Sequence, residues 1–248
     1  MKKKILKIAG FGLLGLLLIF TVGGIALNEP MPEYETGQAA DSLAREMMAA
    51  LGAEAWEQTG AATFTFAGKH QYLWDRKRQW ARIQWDGHEV LLRLNDQSGV
   101  ARKDGQLLQG DAKAMALEKA WSIWCNDSFW FCAPMKCFDP GTIRGIVKEE
   151  QGEENLMVVY ESGGVTPGDA YLWLLDENKQ PTGWKMWVSI LPVGGVYSSW
   201  TDWVTLDTGA KMASTHDMSS FDLKITDIRG GKDLSALGYE KDPFAELE

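Results

Sequence analysis

The chain has 248 residues, 45% of them hydrophobic, which is enough for one globular domain with a sizeable core. Its formal charge is −9, but Lys2, Lys3, Lys4 and Lys7 all precede the first apolar run, so the remainder carries −13. A domain that acidic is repelled by phosphate backbones and anionic headgroups, which argues against nucleic acid as a partner.

Residues 1–7 form a basic start, expected in the cytoplasm. Ile8 to Leu27, "IAGFGLLGLLLIFTVGGIAL", holds 20 residues without a charge. As a helix this run would span about 30 Å, the thickness of a bilayer's hydrocarbon core. With lysines before it and Glu29, Glu33 and Glu35 after it, the positive-inside tendency places the N-terminus inside and the domain outside. Residues 8–27 therefore read as a transmembrane anchor. A cleaved signal peptide is the alternative, although its apolar region is usually only about 7–15 residues. The expected address is the cell envelope: anchored in the cytoplasmic membrane with the domain outside, or periplasmic if cleaved. "GFGLLG" formally matches a dinucleotide fingerprint, but it lies inside this run without a preceding strand, so no cofactor is expected.

Residues 28–38, with two prolines and three acids, read as a linker. The domain is placed at 39–230. Asp41 is expected to cap a helix whose Leu43, Met47, Met48 and Leu51 share one face, and Gly52 suits its stop. After Trp56 the period becomes two. "TFTF" alternates, and Asp86-Gly87 and Asp104-Gly105 are hairpin turns between apolar runs. Asp111 to Trp124 reads as a second helix, capped by Asp111. "NDSFWFCAPMKCFDPG" (Asn126–Gly141) then reads as an irregular apolar loop bent at Ala133-Pro134 and turned at Asp139-Pro140-Gly141. Further strands follow in "TIRGIVKE", "NLMVVYE", "AYLWLLD", "GWKMWVSIL", "VYSSWTDWVTLD" and "SSFDLKITDIR". The tail, 231–248, reads as polar and loose. The fold class is thus mainly antiparallel β with a few helices (α+β).

Two strands decide more. "YLWLL" is apolar on both faces. In "WKMWVSIL", Trp184, Met186, Val188 and Ile190 share one side, with Trp187 and Leu191 on the other. A sheet apolar on both faces needs cover on both, from helices, from a second sheet or from the interior of a ligand cavity.

Catalytic and metal patterns are missing. The sequence has no G-x-S-x-G, no H-E-x-x-H and no P-loop. His70, His88 and His216 have no partner identifiable from sequence. Cys125, Cys132 and Cys137 are spaced C-x6-C-x4-C, which is not a zinc pattern. They are either small buried apolar groups or include one disulfide, with Cys132 and Cys137 as the candidate pair. All 12 Trp follow residue 55, more than one well-packed core readily places, so some are expected on a concave surface. The candidate ligand-binding residues are Trp121, Trp124, Phe129, Trp130, Phe131, Met135 and Phe138, joined by Trp173, Trp184 and Trp187 on the sheet.

The segment "NDSFWFCAPMKCFDPG" resembles the "ND-x-FW-x-x-x-P-x-K-x-x-DPG" stretch of exported proteins similar to the bacterial outer-membrane lipoprotein carriers and receptors (the LolA/LolB-like group). That resemblance implies an unclosed β-barrel, a curved sheet wrapped around helices, with an apolar cavity for acyl chains. The expected function is a membrane-tethered, non-enzymatic envelope protein that binds a hydrophobic small molecule or acyl chain. An exported hydrolase using Asp127, Asp139 or His216, and an envelope sensor or glycan-interaction module, are the rival readings.

Overall fold

The computed structural model of the protein describes residues 28–149, 152–162, 167–218 and 221–248. The expected anchor at 8–27 lies outside these residues. Among the described residues no helix is long and apolar enough to cross a membrane.

The described residues form two antiparallel sheets, and neither closes on itself. The larger has nine strands. Its middle is a meander: β2 (Ala61–Phe66), β3 (His70–Asp75), β4 (Trp80–Trp85), β5 (His88–Arg93), β6 (Gly99–Lys103) and β7 (Gln106–Leu107). The C-terminal strands β13 (Thr201–Thr205), β14 (Lys211–Met218) and β15 (Phe221–Gly231) extend it through the β15–β2 pairing. The smaller sheet has six strands in the order β1 (Glu35–Thr36), β8 (Thr142–Lys148), β9 (Glu154–Tyr160), β10 (Asp169–Leu175), β11 (Pro181–Trp187) and β12 (Val196–Ser199). The two hairpin turns form as the sequence indicates, with Asp86, Gly87, Asp104 and Gly105 all at positive φ.

Among the described residues, three α-helices accompany the sheets. In α1 (Gln38–Ala50), Ala40, Leu43, Ala44 and Met47 are buried, and Gly52 stops the helix at φ 77°. Asp41 does not cap it. Gly37 holds that position, while Asp41 in the first turn pairs with Arg144 at 2.5 Å. That bond holds the Asp41 carboxyl below its ordinary range. The short α2 (Ala53–Gln58) buries Trp56. The third helix, α3 (Gly110–Cys132), departs most from the sequence reading. The segment expected to be an irregular loop continues this helix for two further turns and ends in a 3₁₀ turn, Ala133–Lys136, at Pro134. Asn126, Asp127 and Ser128 are poor helix formers because their side chains compete for the backbone. Here the Asp127 side chain is engaged across the fold instead, by His70 and Tyr72 on β3.

One apolar core fills the inner face of the nine-stranded sheet. Phe64, Tyr72, Ile83, Val90 and Leu92 meet Ala116, Ala120, Ile123, Trp124 and Phe131 of α3 there. A second joins the inner face of the six-stranded sheet to α1 and to the end of α3. The outer face of the six-stranded sheet is also apolar, with Val147, Met157, Ala170 and Leu172 buried, and the segment expected as a free linker supplies part of its cover. Tyr34 lies over Gly145, Glu35 and Thr36 pair with β8, and Glu29 is held by Lys185 and by the Trp187 indole. The C-terminal tail is not loose either. Leu237, Phe244 and Leu247 are buried on the outer face of the larger sheet against Leu73 and Leu91.

Candidate functional site

The most unusual part of the molecule lies where the two sheets and α3 meet. Trp173 on β10 stands directly opposite Trp184 on β11, so both rings project from the same face. The chain leaves the smaller sheet after Ser199 and enters the larger at Thr201, and Trp200 at this crossing turns inward. The three indoles form a triangle, each pair of ring centroids 4.9 Å apart, and all three are fully buried. From α3, Trp130 reaches Trp184 at 4.8 Å and His216 of β14 at 5.3 Å. Phe129, one residue away, packs on Tyr160 and Tyr171.

The polar atoms of this aromatic centre are largely unpaired. Among the described residues the indole N–H groups of Trp173, Trp184 and Trp200, the Tyr160 hydroxyl and His216 Nε2 are buried without a hydrogen-bond partner. Burial lowers the His216 pKa to about 4, so the ring is neutral at pH 7. Its Nδ1 lies 3.3 Å from the Ser199 carbonyl. A carbonyl can only accept, so Nδ1 carries the proton and Nε2 presents a bare lone pair. The centre therefore holds three unmatched donors, one unmatched acceptor and one hydroxyl. Burial also pushes the Tyr160 and Tyr171 hydroxyls above their ordinary range.

The candidate residues do not gather in one place. Trp121, Trp124, Phe131 and Met135 pack toward the nine-stranded sheet, where Phe131 stacks on Phe64 at 4.3 Å. Phe129, Trp173 and Trp184 belong to the six-stranded side, and Trp130 touches both cores. Phe138 and Trp187 lie apart from the centre. Phe138 is partly exposed beneath the Arg45 and Arg144 guanidiniums. Trp187 is on the outer face, as its period-two offset from Trp184 requires, and donates to the Glu29 carbonyl. The space beside Trp130, expected to be a hollow, is occupied by the rings of Trp184, Trp200 and His216. Sequence reasoning did not single out Trp200, Tyr160 or Tyr171, and it weighed His216 only for the rival hydrolase reading. Trp200 was hidden because "VYSSWTDWVTLD" reads as one strand while the fold breaks it between two sheets.

The disulfide between Cys132 and Cys137 is not formed, and all three cysteines are free. The Cys132 thiol contacts the Ser128 carbonyl and the Cys137 thiol the Pro134 carbonyl. Burial pushes Cys132 up to about 11 and Cys137 up to about 12.

The three groups weighed for a hydrolase are each engaged separately. Asp139 pairs with Lys136 at 2.5 Å, and His216 faces Ser199. Asp127 accepts from Tyr72, His70 and Asn126. No family matches the chain, and no curated protein matches it significantly.

Proposed function

We propose that the chain is a membrane-tethered envelope protein whose domain binds a hydrophobic ligand, a lipid or lipidated peptide, between its two unclosed sheets. The two sheets and α3 would act as an unclosed barrel around the guest. The observation that carries this reading is the set of unpaired polar atoms inside the aromatic centre. More than about 90% of buried polar groups in folded proteins have a partner, and groups left without one cost about 1–3 kcal/mol each. Five such groups within one aromatic cluster favour a guest that supplies both acceptors and a donor. An acyl chain with an amide or hydroxyl near its head has this chemistry: carbonyl oxygens for the indoles, a hydrogen for His216 Nε2, and an apolar body for the rings. Entry requires Trp130 and Phe129 to move from the centre with the end of α3. The apolar run Ile8–Leu27 supplies the tether.

The test is direct. Residues 28–248 are purified and extracted with organic solvent, and the extract is analysed by mass spectrometry. A spin-labelled fatty acid amide is then titrated against Trp emission. A co-purifying acyl compound, or saturable quenching that Trp184→Phe weakens, is the expected result. A ligand-free domain whose emission the probe leaves unchanged defeats the reading.

A second reading, an envelope interaction module, is favoured by one surface feature. Thr226, Thr65, Gln71, Gln84, Glu89 and Arg102 pair across six neighbouring strands of the larger sheet. A groove of about 410 Å³ lies along four of these six, Gln71, Gln84, Glu89 and Arg102, and Lys69 also lines it. Amides, a carboxylate and cations in one row suit a glycan or an extended peptide. Binding of soluble glycan fragments that Gln84→Ala abolishes would select this reading.

A further inference from the structure

The N-terminal segment is docked at its very first described residue. The amide N–H of Gly194 donates to the Asn28 side-chain oxygen at 2.8 Å, and the Glu29 N–H donates to the Gly194 carbonyl at 3.1 Å. Glu29 is fixed again by Lys185 at 2.7 Å and by the Trp187 indole at 2.7 Å. The chain then crosses the outer face of the six-stranded sheet to Tyr34 over Gly145 and to the β1–β8 pairing. In sequence, one residue, about 3.5 Å of chain, separates Leu27 from Glu29, which is docked on the Val188–Gly195 loop.

That loop, "VSILPVGG", carries no ionisable side chain. Ile190 at its tip is 73% exposed, the most exposed of the large hydrophobic side chains among the described residues. Close to the docked Glu29 are further apolar groups. Met31 is 46% exposed, Tyr197 beside Lys185 on β12 is 46% exposed, and Trp187 is half-buried. Tyr and Trp rings concentrate where a protein meets the membrane–water boundary, and a lysine stem can run alongside them. The net charge of −13 gives the domain no electrostatic attraction to an anionic bilayer, so any contact must come from apolar side chains.

We infer that the β11–β12 loop, with Ile190 at its tip, rests in the headgroup region of the bilayer that holds the Ile8–Leu27 run. The strap of residues 28–36 sets that orientation. This contact rests on the anchor part of the proposed function and is independent of any ligand between the sheets. It holds the domain in one pose, with the β11–β12 end down, rather than on a free tether. Because it is apolar, it is expected in zwitterionic as well as anionic bilayers.

The full-length chain, carrying Cys125→Ala, is reconstituted into phosphatidylcholine vesicles with an environment-sensitive dye at Ile190→Cys or, for comparison, at Met115→Cys on α3. Circular dichroism confirms that both variants fold. The dye at 190 is expected to emit to the blue of that at 115 and to be quenched by headgroup spin-labelled lipid, while the dye at 115 is not. If the two dyes behave alike while the chain resists alkaline extraction, the anchor stands and the loop contact is overturned. If the chain washes off, both are overturned. Neither outcome bears on the ligand titration of residues 28–248.

Discussion

His70 on β3 places its Nδ1 2.6 Å from a carboxylate oxygen of Asp127 on α3, and the Tyr72 hydroxyl donates to the same oxygen at 2.5 Å. Asp127 is almost completely buried, so this is an internal clamp between helix and sheet. Proton removal from Tyr72 is strongly opposed, first by its burial and then by the Asp127 charge.

Asp127→Ala leaves Tyr72, His70 and Asn126 without their shared acceptor. Breaking a buried network of this kind costs about 3–5 kcal/mol, whereas Asp127→Asn, which keeps an acceptor, should cost less than half as much. Urea unfolding of the two variants checks this. An Ala variant as stable as the parent shows that the clamp contributes nothing.

The depressed pKa of His216 fixes the sign of a pH effect. The folded ring has a pKa of about 4, against 6.5 when unfolded. Between those values the unfolded chain holds a proton that the folded chain does not. Stability from this group is therefore complete above pH 6.5 and falls as pH drops toward 4, by about 3 kcal/mol in all. His216→Gln should flatten that part of the stability profile. An unchanged slope removes His216 as its source.

Gly145 lies beneath Tyr34, and a Cβ there would stand within 2.3 Å of the Tyr34 ring. Gly145→Val should lift the strap at a cost of about 1–3 kcal/mol and open residues 28–36 to protease. Limited proteolysis at the parental rate would show that Tyr34 is not held there.

Phe244 of the C-terminal tail is fully buried on the outer face of the larger sheet, its ring centroid 6.1 Å from that of Trp80. Phe244→Ala should cost about 3–5 kcal/mol, the usual range for a core phenylalanine. A loss below about 1 kcal/mol in thermal or urea unfolding would mean that the tail is only loosely seated.

The three free thiols should react with Ellman's reagent fully only after denaturation. Cys132 and Cys137 are buried, and Cys125 is partly so with its pKa raised to about 11. A thiol count of one in denaturant would instead reveal a disulfide.

Period and punctuation made much of the fold legible. Alternation in β2, the Asp-Gly turns and the glycine after α1 each depend on neighbours in sequence, so local stereochemistry specifies them. The candidate site was legible only in part. "FWF" was visibly apolar, but helical continuation sends Phe129 and Phe131 to opposite sheets, and no local rule foretells which tertiary partners override three weak helix formers.

By itself the sequence determined the antiparallel, turn-rich character of the domain and its surplus of indoles, because these follow from composition and from side-chain period. Only the tertiary structure decided where those indoles meet, that a supposed linker and a supposed loose tail are both packed down, and that Asp127 has a histidine partner 57 positions away. Such choices depend on contacts between distant segments, whose free energy exists only once the chain has closed around them.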